Sequence, residues 1–238
     1  MAAAVTGTTF FGTGIPVQAE NEWIGDDQLT DAQVDAPAPD GVVPNDTQYK
    51  YQKDELAAFC HFGPNTFNNI EWGENYGDKA PSEIFRLEND FDAETLVKAV
   101  KDAGFKKLIV TAKHHDGFCI WQSGETEYDM GGLTYKDGKG DILEEISAAC
   151  TAENIDMGLY LSPWDIHEPS YGYYDENGEP TNAQEDVLDY NEFYNDQLKE
   201  ILDNDKYGNN GRLTAAWMDG AQGRGADALE YDFALWNN

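Results

Sequence analysis

LIVTAKHHDGFCIW, from Leu108 to Trp121, reads as a strand that runs into a cluster of polar groups. The apolar triplet Leu108, Ile109 and Val110 marks a buried strand, and Lys113, His114, His115 and Asp116 follow it. Gly117 then supplies the freedom a sharp turn needs. Two of the chain's four histidines thus stand side by side where a strand ends. Parallel α/β folds hold their ligands at strand ends, so the segment predicts a polar site.

Working outward, the same strand–turn–helix pattern recurs. Leu56–His61 is a first strand, Lys107–Ala112 the second, Met157–Ser162 the third and Leu213–Met218 the fourth. Helices are predicted over Asp92–Ala103, Asp141–Glu153 and Ala183–Leu202, with a further one within Ala226–Trp236. Asp92 reads as an N-cap, and Gly104 stops its helix. Alternating β and α elements imply a parallel sheet. Both a (β/α)8 barrel and a doubly wound sheet would gather the strand ends on one edge. The barrel is preferred, because Pro64 directly follows Gly63 where a glycine-rich phosphate loop would stand. Four units are present where eight close a barrel, so the expected fold is the N-terminal half of a (β/α)8 barrel, truncated, or an unusual half-barrel.

Composition narrows the partners. With 15 Lys and Arg against 46 Asp and Glu, the formal charge is −31, a field that repels phosphates and argues against nucleic acid. Cys60, Cys119 and Cys150 are odd in number and widely spaced, which fits neither a zinc knuckle nor a disulfide framework. No stretch approaches the roughly 20 apolar residues of a membrane span. Residues 1–19 are small, apolar and uncharged and close with Val17-Gln18-Ala19, so they read as a signal-peptide remnant and predict export, although the basic start of a signal is missing. Residues 20–50 are an acidic leader containing Pro37, Pro39 and Pro44, and 51–238 carry the alternating elements.

Each strand end is loaded. His61 opens HFGPNTF and is followed by Glu71 and Trp72, which together offer a donor, an acceptor and an aromatic platform for a sugar. The plain alternative is a satisfied core histidine beside a core-edge tryptophan. His114 and His115 are neighbours, and neighbouring strand residues face opposite ways, so the strand must end or bulge for both to serve one ligand. Their competing reading is a metal site with Asp116 or Asp219. Tyr160, Ser162 and Trp164 share one side by alternation and form a polar-aromatic wall, unless Tyr160 is simple packing. Asp219 follows an apolar strand and precedes Gly220; a lone Asp-Gly is more often a turn, but here it comes after three other loaded strand ends.

Taken together, HFGPNTF with EWG, TAKHHDGF, GLYLSPWD and WMDG, in that order, resemble the α-L-fucosidases of glycoside hydrolase family 29 from about Tyr51 to Asp232. Their form is most similar to the bacterial branch that favours α-1,3 and α-1,4 fucosyl linkages. The resemblance implies that residues 51–238 are a partial glycosidase catalytic barrel of a retaining exo-α-L-fucosidase, acting on a fucosylated oligosaccharide or glycoprotein glycan. It makes Asp219 the nucleophile, and His61, Glu71, Trp72, His114, His115 and Tyr160 substrate-binding residues. Leu161 departs from an aromatic found in some relatives, which weakens the match at Tyr160. No metal or organic cofactor is implied. In this branch the general acid/base is a Glu some tens of residues beyond the nucleophile, past Asn238, so the chain alone is expected to be inactive or impaired. Two other readings stay open: a non-catalytic fucose-binding module and a metal-dependent barrel hydrolase.

Overall fold

In a computed structural model, the described residues are 7–11, 15–19, 41–73, 76, 79–87, 91–171, 187–220 and 229–237. They fall into two units, Met1–Pro44 and Asn45–Asn238. In the first, strands β1 (Gly7–Phe11) and β2 (Ile15–Ala19) pair antiparallel, with Gly7 opposite Ala19 and Phe11 opposite Ile15. This backbone hairpin occupies the segment read as a signal-peptide remnant.

The second unit opens on α1 (Asp46–Lys53), so the expected leader boundary at residue 50 falls inside a helix. The reason is a capping box. Asn45 accepts from the Gln48 N–H, and the Gln48 side chain accepts from the Asn45 N–H. Lys50 then pairs with Asp156 at the start of a later strand.

Four parallel strands follow in the order β3 (Ala57–Cys60), β4 (Lys107–Lys113), β5 (Asp156–Leu161) and β6 (Ala216–Trp217). Spatial order equals chain order, as expected when each crossover returns in the same direction. Every residue of β4 is buried, which explains its unbroken apolar run. The fourth strand is much shorter than Leu213–Met218. Its ladder partners are Ala216 and Trp217, both exposed, while the Thr214 N–H and the Ala215 carbonyl also bond to β5; among the described residues β6 pairs on one side. Gly158 permits this pairing, since a Cβ there would stand 3.1 Å from the Ala215 carbonyl.

The crossover helices match the periodicity. α2 (Pro64–Asn68) and α3 (Pro81–Ile84) are short turns, while α4 (Ala93–Asp102) is capped by Asp92, whose carboxylate accepts from the Thr95 N–H at 2.9 Å. Gly104 follows with φ +90°. Asp141 caps α5 (Ile142–Glu153), which turns Ile142, Leu143, Ile146 and Ala149 into the core. α6 (Val187–Leu202) buries Tyr190, Tyr194, Leu198 and Ile201; the expected first turn over 183–186 lies outside the described residues. α7 (Phe233–Trp236) is shorter than the predicted final helix, of which 226–228 also lie outside them. No helix among the described residues is long and apolar enough to cross a membrane. All three cysteines are free.

Candidate active site

At the carboxyl ends of the strands lies a pocket of about 460 Å³, lined among others by His61, Glu71, Trp72, His114, His115 and Asp219. Six residues singled out from the sequence are therefore brought to one place. The seventh, Tyr160, reaches it through its hydroxyl, which donates to Asp219 Oδ2 at 2.9 Å.

The two adjacent histidines reach one site because β4 breaks its alternation. The pairing of β4 with β5 shifts register between Thr111 and Lys113, and the strand ends there. His114 and His115 then lie with ring centroids 4.3 Å apart, and His61 lies 5.3 Å from His114. Lys113, the last strand residue, points away from the pocket. Its ammonium is buried and donates to Asp165 Oδ2 and to the Gln197 side-chain Oε1, each at 2.8 Å. Gly117 (φ +80°) makes the turn beyond, and any Cβ there would collide with the Asp165 carboxylate.

The histidines are held neutral. Burial pushes His114 down to about 3 and His115 down to about 4, and partial desolvation lowers His61 as well. For His115 the tautomer follows from its neighbours. Ser162 Oγ donates to the Trp164 carbonyl at 2.7 Å and so accepts from His115 Nδ1–H at 2.6 Å. His115 Nε2 is then an acceptor, 3.9 Å from Asp219 Oδ2. His61 Nδ1 shares a hydrogen bond of 2.7 Å with Thr111 Oγ1. His114 Nδ1 is buried and finds no partner among the described residues.

Neutral imidazoles each carry one donor and one acceptor, which matches the dual character of a sugar hydroxyl. Trp72, 38% exposed, contributes its indole 5.6 Å from the Trp164 ring and can take the apolar face of a ring substrate. Asp219 sits at the mouth of β6 with its side chain 35% exposed, open to a ligand yet fixed by Tyr160. Among the described residues, no three of His, Cys, Asp and Glu are placed to share a metal ion, so the metal reading of His114, His115 and Asp219 gains no geometric support.

Of two further pocket residues, Asn65 had no role assigned from the sequence and Asp116 only the alternative one of metal ligand. Asp116 is buried, accepts from Asn65 Nδ2 and from the Phe118 N–H, each at 2.8 Å, and is pushed up to about 7 by burial. Asn65 lies within HFGPNTF, and its partner stands 51 residues away. The only signal was that both positions closely follow strand ends.

A family model described as α-L-fucosidase matches residues 31–233. α-L-Fucosidase 1 of Arabidopsis thaliana is 40% identical over 200 residues, which cover 84% of this chain and 35% of that protein. The tissue α-L-fucosidase of Rattus norvegicus is 30% identical over 55% of this chain and 26% of its own length. Among solved structures, a Ruminococcus gnavus GH29 fucosidase in complex with fucose superposes with a TM-score of 0.77 at 70% identity, over 85% of this chain and 41% of that one. The parallel sheet thus lies within a fold shared with a glycoside hydrolase family 29 fucosidase. The chain belongs to the α-L-fucosidase family and spans about two fifths or less of the length of these relatives.

Proposed function

We propose that this chain carries the fucose-holding and nucleophile-bearing part of a retaining exo-α-L-fucosidase, with its four strands forming the first half of a (β/α)8 barrel. The observation that carries the reading is Asp219, fixed by the Tyr160 hydroxyl and facing three neutral histidines in one pocket. In this reading a carboxylate oxygen of Asp219 attacks the anomeric carbon of an α-L-fucoside as the bond to the aglycone oxygen breaks. The departing oxygen takes a proton from a general acid, which the family resemblance assigns to a Glu beyond residue 238. Water, losing a proton to the conjugate base of that acid, then attacks the same carbon, the bond from that carbon to the Asp219 oxygen breaks, and fucose leaves with its configuration retained. His61, His114 and His115 hold the hydroxyls, Glu71 accepts from another, and Trp72 covers the apolar face. The form of HFGPNTF and LSPWD supports α-1,3/1,4-linked substrates, and Val17-Gln18-Ala19 supports a secreted or cell-surface setting.

The test is trapping with 2-deoxy-2-fluoro-α-L-fucosyl fluoride. Fluoride departs without being protonated, so the probe interrogates Asp219 independently of the acid. Mass spectrometry is expected to find the fluorofucosyl ester on the peptide containing Asp219 and none in Asp219→Gly. Labelling of another carboxylate would overturn the assignment. Fucose binding with no labelling would favour a non-catalytic binding module.

A further inference from the structure

Glu71 and Trp72 stand in an exposed turn, and among the described residues no main-chain hydrogen bond holds either of them. Yet both line the pocket, where a sugar needs fixed partners. What ties the turn down is a side chain. Asn65 Nδ2 donates to the Glu71 carbonyl at 3.1 Å and to Asp116 Oδ2 at 2.8 Å, and Asn65 Oδ1 accepts from the Tyr76 hydroxyl at 2.7 Å. One amide thereby links the turn, the loop after β4 and the segment beyond the turn.

The packing agrees. Gly73, directly after Trp72, has φ +76°, and a Cβ there would lie 2.6 Å from Asp116 Cβ and 2.7 Å from the Tyr76 ring. The turn is therefore seated on the same two residues that hold Asn65. Asp116 is itself fixed, since its other oxygen accepts from the Phe118 N–H at 2.8 Å.

We infer that Asn65, gripped by Asp116 and Tyr76, is a positioning residue that sets the Glu71–Trp72 turn over the pocket and so governs how tightly the pocket holds its sugar. Asn65 acts through Glu71 and Trp72. The sugar half of this inference rests on reading the pocket as a fucose site; the positioning half does not.

The experiment follows the indole N–H resonance of Trp72, assigned by its loss in Trp72→Phe, first without sugar and then during titration with L-fucose. In Asn65→Ala that resonance is expected to shift or broaden while the buried Trp121 signal stays in place, and the Kd for fucose to rise about tenfold, the effect of one lost hydrogen bond to a fixed partner. Asp116→Asn sets two amide N–H groups against each other and should do the same. The exchanged pair Asn65→Asp with Asp116→Asn rebuilds the hydrogen bond to residue 116 in the opposite direction but leaves no donor for the Glu71 carbonyl, so the Trp72 signal should stay displaced.

Tyr76→Phe removes one hydroxyl and keeps the ring against Gly73. It should move the Trp72 signal in the same direction by less, and it decides the matter if Asn65→Ala does not fold. An unmoved Trp72 signal in Asn65→Ala, or in Tyr76→Phe where that variant decides, would overturn the inference. So would equal movement of Trp72 and Trp121, or full return of the Trp72 signal in the exchanged pair. If the unaltered chain fails to bind fucose while Trp72 still responds to Asn65→Ala, the fucose-site reading fails and the positioning role stands.

Discussion

The Tyr160 hydroxyl donates to Asp219 Oδ2 at 2.9 Å, joining a buried residue of β5 to a half-open carboxylate at the mouth of β6. Asp219 follows the short edge strand, so its side chain has few constraints from the sheet itself. The hydroxyl fixes which oxygen faces the pocket. A hydrogen bond to a charged group contributes about 1.5–3 kcal/mol. Tyr160→Phe is therefore expected to slow fluorofucosyl labelling of Asp219 by roughly tenfold to a hundredfold. Stopped-time mass spectrometry measures the rate, and an unchanged rate would show that Asp219 is oriented without Tyr160.

His115 gives a prediction on pH. Burial holds it at about 4 against an ordinary 6.5, so the unfolded chain takes up its proton first as pH falls. The stability tied to neutral His115 is present above about pH 6.5 and is lost as pH falls through about 4. The same protonation turns Nε2 from an acceptor into a donor beside Asp219, so fucose binding should persist to about pH 5 and then decline. Following the ring carbon resonances of His115 against pH checks this. A midpoint between 6 and 7 would contradict the burial argument.

Much of this was legible in the sequence, and for identifiable reasons. β4 is covered on both faces, so Leu108 to Val110 had to be continuously apolar. Helix α4 announced itself through Asp92, because a side-chain cap is a local device, and α5 through the spacing of Ile142, Leu143, Ile146 and Ala149. The expected bulge or strand end before His114 follows from side-chain alternation, and it is present. β6 is shorter than Leu213–Met218 because regular ladder pairing is confined to Ala216 and Trp217, although the Thr214 N–H and the Ala215 carbonyl also bond to β5. Lys113 was grouped with the polar site, but alternation from His114 sends it to the opposite side and into contact with Asp165. Asn65 with Asp116 was not legible as a pair, since nothing local marks a hydrogen bond across 51 residues.

That Lys113–Asp165 pair is buried on both sides, at 2.8 Å. Removing one partner of such a pair leaves a charge without compensation, which costs about 3–5 kcal/mol. Asp165 Oδ1 also accepts from the His167 and Glu168 N–H groups, which keep part of its solvation. Lys113→Met is thus expected at the lower end of that range by denaturant unfolding, with the slope of the transition unchanged. The double variant Lys113→Met with Asp165→Leu should be less damaging than the sum of its two singles. Simple additivity would show that the two charges do not depend on each other.

Gly117 and Gly104 both adopt positive φ, at +80° and +90°, but they differ in what surrounds them. Nothing lies within 4 Å of a Cβ built on Gly104, so Gly104→Ala pays for backbone strain alone, about 1 kcal/mol. At Gly117 the same atom would strike the Asp165 carboxylate and come within 2.9 Å of His167 Cβ. Asp165 cannot yield, because Lys113 and two backbone N–H groups hold it. Gly117→Ala is therefore expected to cost roughly 2–4 kcal/mol, and to displace the His114–His115 turn it closes. Urea unfolding of the two variants side by side measures the difference. Equal losses would mean that the LSPWD loop moves aside freely and does not brace the histidine turn.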